Sequence, residues 1–177
     1  MKYFSAFMNI LMNAFVMGSN VPDTVSELNV NYYLGHWFQV YQAPTNVIFQ
    51  GYGTCITADY GLLEDGTIDV LNTQLDENNE LDQIAGYAYY KNISEPGKLT
   101  VHLEGVPTDS PYWVVKLGEV VNDEYPYSII TTPSGISLWV LVRDVDTFFD
   151  VYNTEVIYFL NEYSFRYDTV EQNDCNI

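Results

Sequence analysis

"YYLGHWFQVYQAP" (Tyr32–Pro44) sets five aromatic side chains within ten residues, around a glycine two positions ahead of a tryptophan. From Trp37 onward the chain breaks into short runs rich in Val, Ile, Thr and Tyr. In order they read "WFQVYQ", "GTCITADYGLL", "TIDVLNTQL", "QIAGYAYYK", "KLTVHLE", "YWVVKL", "YSIITT" and "SLWVLVR". Turn-forming clusters such as "EDG", "DENNE", "NISEPG" and "PSG" separate them. β-branched and aromatic runs bounded by such punctuation read as strands joined by hairpin loops. Alternation is clearest in "KLTVHLE", where Leu99, Val101 and Leu103 take one face and Lys98, Thr100, His102 and Glu104 the other.

Eight consecutive hairpin-linked strands form an antiparallel meander, and such a sheet must deal with its unpaired edges. Closing it into a barrel removes them. At eight strands the interior is just wide enough to hold one small ligand. The expected fold is therefore an all-β, eight-stranded antiparallel up-and-down β-barrel with one C-terminal α-helix packed outside. That helix comes from "DVDTFFDVYNTEVIYFLNEY". There the period changes, placing Phe149, Tyr152, Val156, Phe159 and Leu160 on one side and Asp150, Asn153 and Glu162 opposite, with Asp144 or Asp146 as cap. A short last strand near "DTVEQ" leads to Cys175.

A chain of 177 residues is sized for one domain. Residues 1–18 carry one lysine, no acid and a mostly apolar run ending in small residues, the layout of a secretory signal peptide, leaving 19–177 as a single domain. Net charge is −18, and −19 without that leader. So few cations cannot neutralise a phosphate backbone, which excludes nucleic acid as a partner. The two histidines, His36 and His102, lie far apart in sequence and do not build a three- or four-ligand metal site, so no metal or cofactor is expected. In an exported chain the only two cysteines, Cys55 and Cys175, favour a disulfide over a reactive thiol. Asn92-Ile93-Ser94 is an N-glycosylation acceptor. Leader, cysteine pair and acceptor together point to a secreted protein.

Five segments in order resemble the lipocalin family, and within it the apolipoprotein D and bacterial outer-membrane branch. They are "LGHWFQVYQAP", "CITADYGLLEDGTIDVLN", "NISEPGKLTV", "SPYWVV" and "SLWVLVRD", covering about Leu28 to Cys175. The resemblance implies that Gly35, Trp37 and Arg143 form the barrel-closing motif, the guanidinium lying across the indole. Such a contact is worth about 0.5–2 kcal/mol depending on desolvation. The family's Thr-Asp-Tyr turn is replaced by "GEVVNDEYP", which leaves the closed end on that side open to question.

The resemblance further implies a carrier of a small hydrophobic ligand, such as a fatty acid, sterol, retinoid or bilin-like molecule, and not an enzyme. By position within the matching segments, Tyr60, Asn72 and Trp139 are the expected polar handles of the pocket, with Val70 and Leu141 as apolar wall. Trp139 shares strand parity with Leu141 and Arg143. In "QIAGYAYYK" periodicity does not decide between Tyr87 and Tyr89 or Tyr90 as cavity residues. The loop "APTNVIFQGYG" is the expected lid; its Val47, Ile48 and Phe49 could touch a membrane or receptor. A monomer or weak homo-oligomer suffices for this role. Two alternatives stay open: a lipid-modifying enzyme, which would need a free thiolate, and a protein-interaction module with an empty barrel.

Overall fold

The structure, a computed structural model, describes residues 21–172 and residue 175. The leader read in residues 1–18 lies outside the described residues. Eight strands follow one another: β1 (Gly35–Gln42), β2 (Thr54–Leu62), β3 (Ile68–Leu75), β4 (Leu81–Tyr90), β5 (Lys98–Leu103), β6 (Ser110–Leu117), β7 (Tyr127–Thr131) and β8 (Leu138–Val142). Each pairs antiparallel with the next, and β1 pairs with both β8 and β2, so first meets last. The closed barrel and the C-terminal helix outside it are as the sequence predicts.

Closure between β1 and β2 covers only the lower half of the seam, from Gly35↔Tyr60 to Phe38↔Thr57. Above that point the C-terminal segment fills the gap. β9 (Asp168–Thr169) pairs with Tyr41 and Gln42, and Val170 N–H donates to Val40 O. Gln172 Nε2 donates to both Gln39 O and Ile56 O at 2.8 Å, bridging the two strands. Cys55 and Cys175 form a disulfide whose Cα atoms are 5.5 Å apart, 120 residues apart in sequence. The expected strand "DTVEQ" is thus two residues long, and the rest of the stretch works as a strap.

Both faces of the sheet are buried near β8. Leu138, Val140 and Val142 point outward and, with Val40 and Ile129, pack against Phe148, Val156 and Leu160 of the C-terminal helical segment. That segment is α3 (Val145–Thr147), a π-helical turn (Phe148–Tyr152) and α4 (Asn153–Glu162). Asp144 is its cap, its carboxylate accepting from Thr147 N–H at 2.7 Å. The wider π turn corrects the sequence-based helical face. Phe148, 1% exposed, takes the buried position expected of Phe149, which is 42% exposed. A π turn adds a residue to the winding and so rotates what precedes it, which a uniform 3.6 period does not anticipate.

Two further features of the floor follow from local chemistry. The short helix α1 (Val30–Tyr33) leads into β1, capped by Asn29, whose side chain accepts from Asn31 N–H. The unusual β6–β7 loop closes by a two-residue hairpin: Val121 and Glu124 pair, with Asn122 (φ 52°) and Asp123 (φ 63°) between them. Positive φ at both central positions is the type I′ geometry, and Asn and Asp tolerate it best after glycine. The loop then sends Tyr125 under the barrel, where its hydroxyl accepts from Asn29 N–H at 3.0 Å. The substituted loop therefore still seals the closed end.

Candidate functional site

The floor of the barrel is built around Trp37, which is 0% exposed. Arg143 Cζ lies 3.8 Å from the centroid of its ring. The guanidinium also donates to three backbone carbonyls, Nη1 to His36 O at 2.7 Å and Nη2 to Leu34 O at 2.6 Å and Tyr32 O at 3.1 Å. Trp37 Nε1 donates to Tyr33 O at 2.8 Å. A planar cation with a rigid fork can serve the indole face and several carbonyls at once, which lysine cannot. Gly35 adopts φ +95°, and a Cβ there would stand 3.3 Å from Arg143 Nη1. Glycine is required both for the turn and for the close approach.

Above the indole lies a cavity of about 590 Å³, within the ordinary range of small-molecule sites. Tyr60, Val70, Asn72, Trp139 and Leu141 all stand on its wall, joined by Ile68, Ala88, Leu99, Val101 and Leu103. Inward parity in β5 is as expected, with His102 outside, its Nδ1 2.9 Å from Asp109 Oδ1. In β4 the ambiguity resolves by register. Tyr87 stacks on His102 and Tyr89 donates to Asp109, both outside, whereas Tyr90 packs into the inner cluster near the floor.

A lipocalin-like domain matches residues 28–159. The chain belongs to that family. Among relatives of this lipocalin, apolipoprotein D of Mus musculus is 36% identical over 94 residues, 53% of this chain and 48% of that protein. The outer membrane lipoprotein Blc of Vibrio cholerae is 32% identical over 136 residues, 76% of each chain. The match thus spans about half the length of the mouse apolipoprotein D. In three dimensions, lobster apocrustacyanin A1 superposes with a TM-score of 0.60 at 15% identity, over 87% of this chain and 91% of that one. That likeness concerns the fold alone.

Sequence reasoning missed the deepest polar group of this lipocalin's cavity. Tyr33 Oη lies 2.7 Å from Tyr112 Oη and 2.9 Å from Ser128 Oγ, and Tyr60 Oη lies 3.1 Å from Tyr112 Oη. The rings of Tyr33 and Tyr60 stack at 5.7 Å. Burial pushes the Tyr60 hydroxyl up to about 12 and raises those of Tyr33 and Tyr112 as well, so all three stay protonated at neutral pH. Inward parity of Tyr112 was available from "YWVVKL", but a bulge between Val114 and Lys116 obscures it. Nothing local brings Tyr33 to the same spot, since it lies 79 residues from Tyr112.

The mouth is held by a second, looser polar set. Helix α2 (Val47–Gln50) carries the expected lid residues. Gln50 Nε2 donates to Gln39 Oε1 at 3.3 Å, and Trp139 Nε1 donates to Gln50 Oε1 at 3.3 Å. Gln74 Nε2 ties the same helix through Gln50 O at 2.9 Å. The Phe49 ring leans on Trp139 at 6.1 Å between centroids. Ile48 (82%) and Phe49 (63%) nonetheless stand largely in solvent, as does Tyr52. Asn92, the glycosylation acceptor, lies exposed in the β4–β5 loop, where its Oδ1 accepts from Ser94 N–H.

Proposed function

We propose that this lipocalin is a carrier that binds one small hydrophobic molecule in the barrel cavity. The observation that carries the reading is the hollow itself, closed below by Trp37, with a wall whose exposed surface is mainly apolar and which also carries amide and hydroxyl side chains. Each 100 Å² of apolar ligand surface removed from water there contributes roughly 2.5 kcal/mol. Within this reading Val70 and Leu141 are wall, and Tyr60, Asn72 and Trp139 orient the ligand. Gly35, Trp37 and Arg143 keep water out from beneath.

Binding without covalent chemistry fits the cysteines, since both are joined in the disulfide and neither offers a thiolate. The leader-like residues 1–18, the disulfide and the acceptor at Asn92 support secretion of residues 19–177, with carbohydrate at Asn92. Ile48, Phe49 and Tyr52 at the mouth are the surface through which the carrier meets a membrane or receptor when it loads or releases cargo. A monomer, or at most a weak homo-oligomer, is enough for that cycle.

The deciding experiment is organic extraction of the secreted protein after mild purification, with mass identification of what copurifies. It is paired with fluorescence titration of the stripped protein by the apolar dye 1-aminoanthracene. Stoichiometric extraction of a lipid or pigment, or saturable one-site dye binding, supports the carrier. An empty barrel that also takes no dye would favour the interaction module instead.

A further inference from the structure

The charge and hydroxyl pattern inside the cavity restricts what the cargo can be. Among the described residues lining it, none is Lys, Arg or His. The charged side chains there are Asp82 and Glu104, both exposed at the mouth. Arg143 lies beyond Trp37 and spends its donors on three carbonyls. Deep in the cup, Ser128, Tyr33, Tyr112 and Tyr60 form one linear chain of hydroxyls. Four hydroxyls carry four protons, and three links use three of them. Ser128 and Tyr33 are buried at the inner end, whereas Tyr112 and Tyr60 stand only half-buried on the cavity wall.

From this arrangement we infer that the cavity selects uncharged amphiphiles bearing one hydroxyl, aldehyde, ketone or ester oxygen, which docks on Tyr60, and that it rejects the matching carboxylates. The inference rests on the carrier reading and deepens it. Ser128 is 0% exposed and bonded through its hydroxyl to Tyr33, so a chain donating outward from Ser128 leaves no buried O–H without an acceptor. Run that way, it presents the spare proton at Tyr60 to a carbonyl oxygen. The oxygen of a ligand hydroxyl accepts the same proton. The same residue therefore serves an alcohol and a carbonyl alike.

A carboxylate fares differently. Docked at Tyr60 it would accept one hydrogen bond from the hydroxyl chain, and anywhere on the described lining it would meet only neutral donors and no cation, leaving much of its lost hydration uncompensated. It would also pass Asp82 and Glu104 on the way in, on a protein of net charge −18. The tyrosines supply no positive charge either: burial holds the Tyr60, Tyr33 and Tyr112 hydroxyls neutral, and an ionised one would be an anion.

The test uses the stripped full-length secreted protein and three retinoids of one skeleton, retinol, retinal and retinoate, titrated by quenching of tryptophan fluorescence at about pH 7.5, where the acid is ionised. Retinol and retinal should each bind about tenfold or more tighter than retinoate. Equal or tighter binding of retinoate would overturn the inference while leaving the carrier intact. Tyr60→Phe should weaken retinol and retinal about three- to tenfold and leave retinoate within about twofold, since it deletes one neutral hydrogen bond. An equal loss for all three would remove Tyr60 as the dock. Asn72→Lys, which adds an ammonium to the wall, should tighten retinoate at least about fivefold. No gain would count against charge as the discriminator. The wild-type comparison needs no variant to fold. If neither the retinoids nor 1-aminoanthracene bind at all, the carrier reading fails and takes the inference with it.

Discussion

The closed and open ends of the barrel use similar residue types to opposite effect. At the closed end Trp37 is fully buried, its indole N–H is paired at 2.8 Å, and Arg143 joins three carbonyls from 2.6 to 3.1 Å. At the open end another tryptophan, Trp139, is half-buried and its N–H reaches Gln50 at 3.3 Å. Gln74 Oε1 is buried there without a partner among the described residues, and Ile48 and Phe49 face solvent. Short, desolvated bonds to a charged group are strong, and long bonds between neutral amides are weak. Stability is concentrated where nothing needs to move, and the weaker end is left where a ligand must pass.

The sharpest way to break this contrast is Trp37→Ala. Emptying the floor should cost about 3–5 kcal/mol in chemical denaturation and abolish ligand retention with it. Next comes the disulfide. Replacing Cys55 and Cys175 by serine should cost about 2–4 kcal/mol by releasing a long loop, and it should expose the upper β1–β2 seam to faster amide exchange. Trp139→Ala is the counterpart of the floor mutation. Ligand affinity should drop about tenfold, while stability falls by less than half of what Trp37→Ala costs. A larger loss of stability than of binding would make Trp139 core rather than pocket wall.

Alkaline pH probes the hydroxyl chain between the two ends. Its tyrosines have raised values in the folded protein because burial disfavours the phenolate, with Tyr60 at about 12. Above about pH 10 the unfolded chain releases protons that the folded one keeps, so stability should decline from there upward. Melting temperatures at pH 9 and 11 should show a steep fall that Tyr60→Phe makes shallower, the variant lacking one of the titrating groups. The smallest effect belongs to the lid. Phe49→Ser should change stability by less than about 0.5 kcal/mol yet speed ligand exchange in stopped-flow displacement. An unchanged exchange rate would mean that the lid does not gate the mouth.

Much of the closed end could be read from residues near one another in sequence. Gly35 and Trp37 share one turn and one strand entrance, and Trp139, Leu141 and Arg143 share one parity. The two-residue period of a strand puts Trp139, Leu141 and Arg143 on one face, and the lipocalin resemblance, by laying Arg143 over Trp37, implied that this face is the inner one. Parity fails where the ladder slips. Bulges between Gln39 and Tyr41, between Thr54 and Thr57 and between Val114 and Lys116 each change which face the next side chains take. The π turn does the same to the helix, exchanging Phe149 for Phe148. The substituted β6–β7 loop, by contrast, held its own explanation, since Asn122-Asp123 is a pair suited to a type I′ hairpin.

By itself the sequence determined the eight strands, their closure into a barrel with a helix outside and the pairing of its two cysteines, which depend on local period, turn chemistry and a count of two. The tryptophan–arginine floor was implied by the lipocalin resemblance. Only the tertiary structure decided that the upper seam is filled by the C-terminal strap, and that Tyr33, Tyr60, Tyr112 and Ser128 meet as one hydroxyl chain in a cavity without a cation. Partners separated by 52 to 95 residues are brought together by strand tilt and register around the whole barrel, and no local pattern encodes that sum.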